Sequence, residues 1–198
     1  MLSVQSLSRL HIRASFELHR GECIALRGPS GVGKTVLLRA IADLDPNQGI
    51  VKLDGVLRES MPAPAWRRQV TYLAAEPGWW AETVQDHFQA WADAVPLAQR
   101  VGLAATCGTW PIRRLSTGEK QRLGLVRALM LDSRVLLLDE PTSSLDAEST
   151  RAVESMIADR VSAGTGVIWI THDDAQARRV ASRLFTMNGG DVLEEHSL

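Results

Sequence analysis

Short apolar, β-rich stretches alternate along this chain with longer stretches of helical period. That alternation predicts an α/β fold whose sheet is mostly parallel. "SFELHRGECIALRG" reads as a strand, a turn at Gly21 and a second strand, and "KTVLLRAIADL" then sets Val36, Leu37, Leu38 and Ile41 on one helical face. "GIVKLDGVLR" predicts a hairpin-like pair hinged at Asp54 and Gly55, and "WRRQVTYLA" a further strand. From Thr83 to Leu103 the period becomes that of an amphipathic helix interrupted at Pro96. The β/α alternation resumes with a helix in "GEKQRLGLVRALML", a strand in "RVLLLDE", a helix in "AESTRAVESMIADRV", a strand in "TGVIWITHD" and a helix in "AQARRVA". A last hairpin is expected to turn at Asn188, Gly189 and Gly190, ahead of a polar tail.

Composition narrows the class. At 198 residues the chain suits one domain with a small subdomain, 1–198 as a whole, with a core of about 1–80 and 118–198 and a helical part of about 81–117. A formal charge of -1 gives no electrostatic reason to expect nucleic acid as a partner. Cys23 and Cys107 form no CxxC pair and are too few for a disulfide framework, which points to a reducing cytoplasm. "MLSVQSLSRLHIR" lacks the apolar run of a signal peptide, and "RVLLLDE" is too short to cross a bilayer, so membrane association is expected only through a partner.

"GPSGVGKT", residues 28–35, matches G-x-x-x-x-G-K-[ST] at each fixed position, between an expected strand and an expected helix. Gly28, Gly31 and Gly33 let the backbone curl so that N–H groups face a phosphate, and the helix that follows aims its positive end at the same place. Pro29, Ser30, Val32 and Val36 complete the nucleotide-binding set. Lys34 is expected to reach the β- and γ-phosphates, and the Thr35 hydroxyl to ligate Mg2+. In "RVLLLDE" the apolar run fits a strand buried on both faces, with two carboxylates at its C-terminal end, where open α/β sheets bind ligands. Asp139 is expected in the Mg2+ shell and Glu140 beside the attacking water. Together these point to hydrolysis of a nucleoside triphosphate rather than to binding alone.

With these motifs and three others in order, the chain resembles the nucleotide-binding subunit of ABC transporters over nearly its whole length. "GPSGVGKT" resembles the Walker A motif, "RVLLLDE" the Walker B motif, and "LSTGEKQR" a variant of the signature LSGGQ; "SSLD" resembles the D-loop, and "THDD" brings His172 to the switch position. The resemblance implies a P-loop NTPase core with a mostly parallel sheet, an N-terminal antiparallel β part and a small helical subdomain. It implies ATP with Mg2+, hydrolysis with Glu140, His172 and Lys34 as the catalytic set, and a head-to-tail pair of such domains, expected to be a homodimer. Leu115, Ser116, Thr117, Gly118 and Glu119 would then complete the partner's ATP site in trans, with Ser144, Leu145 and Asp146 as the D-loop. A separate membrane permease, on whose cytoplasmic face the subunit sits, is the implied partner. The cargo stays open, with metal or iron export suggested by "WRRQVTYLAAEPGWWAETV". A soluble ABC ATPase and a weakly hydrolysing regulatory module are the alternatives.

Three departures from the pattern stand out. Where the family carries the Q-loop glutamine this chain has Ala75, which neither ligates metal nor orients water; Glu76 after a small shift, or a water, are the two substitutes. Thr117 and Glu119 replace a glycine and a glutamine of the signature, and no Tyr or Trp before residue 66 is available to stack on adenine, leaving His11 as the nearest candidate. Finally, Trp79, Trp80, Trp91 and Trp110 either pack the core or line the groove that receives the permease; exposed tryptophans favour the groove and full burial excludes it.

Overall fold

The structure, a computed structural model, describes residues 1–195; the end of the expected polar tail, with His196, lies outside the described residues. Ten strands form one sheet: β1 Leu2–Arg9, β2 Ile12–Leu18, β3 Cys23–Arg27, β4 Gln48–Leu53, β5 Val56–Leu57, β6 Val70–Leu73, β7 Val135–Asp139, β8 Gly166–Ile170, β9 Arg183–Asn188 and β10 Asp191–Glu195. The helices are α1 Lys34–Ile41, α2 Ala63–Gln69, α3 Trp91–Arg100, α4 Thr117–Leu129, α5 Ala147–Ser162 and α6 Asp174–Val180. The strand order is β5-β4-β1-β2-β10-β9-β3-β8-β7-β6. From β9 to β6 the strands run parallel, while β1 pairs antiparallel with both β2 and β4. This is the α/β architecture that the pattern predicted, with the antiparallel N-terminal part that the resemblance implied.

β7 explains why the parallel half forms. Its five residues are all buried, and alternation sends them to opposite sides. Val135 and Leu137 join a cluster with Leu37, Leu38 and Ile41 of α1, whereas Leu136 and Leu138 join one with Leu123 and Val126 of α4 and Val153 and Ile157 of α5. A strand covered by helices on both faces needs a continuous apolar run. The apolar run ends in two carboxylates, Asp139 still buried at the end of the strand and Glu140 just beyond it.

Three local expectations change. Trp66–Gln69 belong to α2, not to a strand: Pro64 suits a first helical turn, and the buried Trp66 indole donates to Ile41 O at 2.9 Å, so the strand starts only at Val70. Pro96 does not interrupt its helix, because it lies on the exposed side of α3, opposite buried Ala94 and Ala98. The helix is also shorter than the period implied, for residues 83–90 are held otherwise, by a 3-10 turn at Gln85–His87. There the buried His87 ring accepts the N–H groups of Trp80 (2.9 Å) and Ala81 (3.0 Å) at Nε2, so its Nδ1–H donates to Thr83 O at 2.9 Å. β1 escapes the period-2 pattern because its register shifts between Val4 and Leu7, at Ser6 with φ 49°.

Candidate nucleotide site

The C-terminal ends of β3, β7 and β8 lie side by side, and each carries part of the expected constellation. Residues 28–33 leave β3 and curl into α1, with Pro29, Ser30 and Gly31 exposed at the rim. Gly28 has φ 146° and a Cβ there would stand 2.5 Å from Met187 O; Gly33, at φ 111°, would press one on Ile12. Any side chain at either place strains the backbone and collides with β2 or β9. No side chain caps α1 at Gly33 and no acid sits in its first turn, so its positive end is left to a ligand. Half-buried Val36 leans on the α1-side core.

Lys34 is buried, and its ammonium donates to Gly28 O at 2.8 Å and Pro29 O at 3.1 Å, inside its own loop. Burial lowers the Lys34 pKa, and the charges of Glu140 and Asp139 oppose that shift. The Thr35 hydroxyl donates to Asp139 Oδ2 at 2.7 Å, joining α1 to the end of β7. Glu140 has left the strand with φ 48°, a left-handed conformation unusual for a side chain of its length. Its Oε1 stands 2.9 Å from His172 Nε2 at the end of β8. A cavity of about 370 Å3, lined by Glu140, Ser143, Leu145, His172 and Asp173 among others, opens over this pair.

The signature takes a different place. Ser116 caps α4 in a reciprocal box: Glu119 N donates to Ser116 Oγ at 3.2 Å, and Ser116 N and Oγ donate to Glu119 Oε2 at 2.8 and 2.9 Å. Leu115 is buried, while Ser116 and Thr117 face solvent. A Cβ on Gly118 would lie 2.9 Å from Ser144 O, so signature and D-loop are packed against one another. Leu145 leans on the α4-side core, and Asp146 caps α5 by accepting from Ser149 N at 2.8 Å. No hydrogen bond or ion pair among the described residues links residues 115–119 to the 28–36 loop.

Several contributors carried no motif. The Tyr72 hydroxyl donates to Asp139 Oδ2 at 2.9 Å. Gln121, only 2 % exposed, donates to Glu140 O (2.8 Å) and Ser143 Oγ (3.2 Å) and accepts from Ser144 N (3.2 Å), tying α4 to the turn that follows β7. Gln176 does the same for β8, accepting from Thr171 Oγ1 at 2.8 Å beside His172. A polar residue at a helical core position is the one trace of such braces in a sequence. As for the tryptophans, Trp79, Trp91 and Trp110 lean on the core, but Trp80 is 71 % exposed, with the Arg127 guanidinium carbon 4.7 Å from the ring centres of both Trp79 and Trp80. No helix among the described residues is long and apolar enough to cross a membrane.

Known proteins resemble this chain in sequence and in fold. Residues 12–143 match the family described as "ABC transporter". A phosphate import ATP-binding protein, PstB 2, of Natronomonas pharaonis is 35 % identical over 199 aligned positions, covering 88 % of this chain and 70 % of that protein. A solved ATP-binding subunit of an ABC transporter superposes with a TM-score of 0.89 at 24 % identity, over 100 % of this chain and 90 % of the other. A dimeric post-hydrolysis ATP-binding cassette, MJ0796, bound to ADP and Pi, superposes at 0.85 and 20 % identity, over 98 % of both. The names of these three proteins mention no metal or iron export, so that suggested cargo is without support. With a family match across most of its length, the chain belongs to the ABC transporter family as an ATP-binding, ATP-hydrolysing subunit.

Proposed function

We propose that this subunit powers a separate membrane permease from the cytoplasmic face, by closing on ATP as a head-to-tail homodimer and reopening after hydrolysis. The observation that carries the reading is the meeting of Lys34, Thr35, Asp139, Glu140 and His172 at three adjacent strand ends. In this reading the N–H groups of 28–36 cradle the phosphates, and Lys34 exchanges its loop carbonyls for phosphate oxygens. Glu140 accepts a proton from the attacking water while His172 holds the carboxylate in place and faces the γ-phosphate. His11, whose Nε2 lies 3.2 Å from Val32 O, borders the P-loop where the base would leave the phosphates.

Thr35 and Asp139 are hard oxygen donors joined at 2.7 Å, which fits a cation that takes few protein ligands and completes its shell with phosphate and water. They would hold Mg2+, which supplies charge neutralisation at the β- and γ-phosphates. Exposed Ser116 and Thr117, the α4 N-terminus and the D-loop Ser144, Leu145 and Asp146 form the face offered to the partner's ATP. Residues 81–117 act as the helical part of the domain, and exposed Trp80 marks the permease-binding side. Cargo and direction are left open: the phosphate import named for the Natronomonas relative is that protein's.

Sedimentation of Glu140→Gln with and without ATP tests this. A monomer-to-dimer shift with ATP, abolished by Ser116→Arg, is the expected result. ATP binding by a protein that stays monomeric, even with Glu140 disabled, counts against the homodimer.

A further inference from the structure

Asp139 is 4 % exposed, and two hydroxyls from different elements converge on one of its oxygens. Thr35 donates to Oδ2 from α1 at 2.7 Å and Tyr72 from β6 at 2.9 Å. The alternation of β6 makes this geometry. Val70 and Tyr72 pack with the α1-side core and Leu73 with the opposite one, so Tyr72 shares its face with Asp139. Paired with Leu137 on neighbouring β7, it stands two residues short of Asp139 along the strand.

Two donors on one oxygen leave Oδ1 without a partner among the described residues. We propose that Tyr72 is a positioning residue for the divalent cation: its O–H fixes Asp139 through Oδ2, so that the other carboxylate oxygen is kept for the cation's shell. Thr35 can serve both, because a hydroxyl that donates its proton to Asp139 still has lone pairs for a metal. Tyr72 gives its one proton to the carboxylate, with the Arg39 guanidinium beside the phenol. With alanine at position 75, this phenol is the neutral polar group that β6 brings to the metal side of the site. The inference rests on the reading of Thr35 and Asp139 as the cation-holding pair.

The test is titration of Mn2+ into the ADP-bound protein, free Mn2+ being read by electron paramagnetic resonance, for wild type, Tyr72→Phe and Asp139→Asn. Outer-shell partners of metal ligands typically matter by 10–100-fold, so Tyr72→Phe should weaken Mn2+ about tenfold and leave ADP affinity in EDTA unchanged. Since Tyr72 is the one tyrosine of the chain, 3-fluorotyrosine labelling adds a single 19F resonance, expected to shift when Mg2+ is added to the ADP complex. Unchanged Mn2+ affinity in Tyr72→Phe while Asp139→Asn loses it overturns the role of Tyr72 alone. Equal losses of ADP and Mn2+ in Tyr72→Phe overturn it as well, as does a 19F signal blind to Mg2+ should the variant not fold. Unchanged Mn2+ affinity in Asp139→Asn overturns the underlying metal-site reading.

Discussion

Gln121→Leu removes the brace between α4 and the turn at residues 140–144, the proposed catalytic turn, and leaves an apolar side chain of similar size. Three hydrogen bonds go with it: Nε2 to Glu140 O (2.8 Å), Nε2 to Ser143 Oγ (3.2 Å) and Ser144 N to Oε1 (3.2 Å). Ser143 and Ser144 are exposed, so water replaces much of what they lose. Glu140 O keeps one acceptance, from Ser143 N at 3.2 Å. Counting the strongest bond in full and the two exposed ones at half, at about 1 kcal/mol each, the loss is about 2 kcal/mol. For a domain of this size that lowers Tm by about 4–8 °C.

A catalytic effect is expected beside the stability effect. Glu140 sits at φ 48°, a conformation costing about 1–3 kcal/mol that persists only while its surroundings hold it. Once Gln121 is gone the turn relaxes and Glu140 leaves His172, so kcat falls at least about tenfold while the nucleotide affinity set by the 28–36 loop stays near wild type. Differential scanning calorimetry, steady-state ATPase kinetics and nucleotide titration on the same preparation separate the effects. A lowered Tm with unchanged kcat would refute the idea that Gln121 holds the catalytic turn.

Further perturbations probe other parts of the site. Gly28→Ala puts a Cβ 2.5 Å from Met187 O at φ 146°, so a stability loss of at least about 1–3 kcal/mol and loss of ATP binding should show in thermal melts and titration. Glu119→Gln removes a negative charge from a helix N-terminus, costing about 0.3–1 kcal/mol of stability, yet it spares a partner's phosphate a like charge. In the Glu140→Gln background it should therefore dimerise at up to about fivefold lower ATP, measured by sedimentation, and weaker dimerisation would count against the trans role. Asp146 is held below the usual carboxylate range by the Ser149 amide and hydroxyl. Its cap thus stabilises above the ordinary carboxylate pKa and is lost as pH falls through the lowered folded value, so Asp146→Ala should flatten the acid limb of the stability profile.

What local pattern controls was legible in the sequence. A glycine turn between strand and helix carries its mechanism in spacing alone, and the carboxylates at 139 and 140 follow directly from a run buried on both faces. Even the Ser116 cap is a four-residue signal. Where a tertiary partner overrode local preference, reading failed. Trp66–Gln69 looked like strand until the Ile41 carbonyl claimed the indole, and residues 83–90 looked helical until the His87 ring claimed two backbone N–H groups.

The same division runs through the site. Lys34, Thr35, Asp139 and Glu140 were fixed to their places by position along the chain, since strand ends and helix starts are local events. Tyr72, Gln121 and Gln176 were decided only by folding: their partners Asp139, Glu140 and Thr142 lie 67, 19 and 34 residues away and are brought to them by packing. A hydrogen bond has no signature in one dimension when its two ends meet only through packing. The groups proposed for the chemistry were therefore written in the order of residues, and the side chains that brace them appeared only when the sheet brought its strands together.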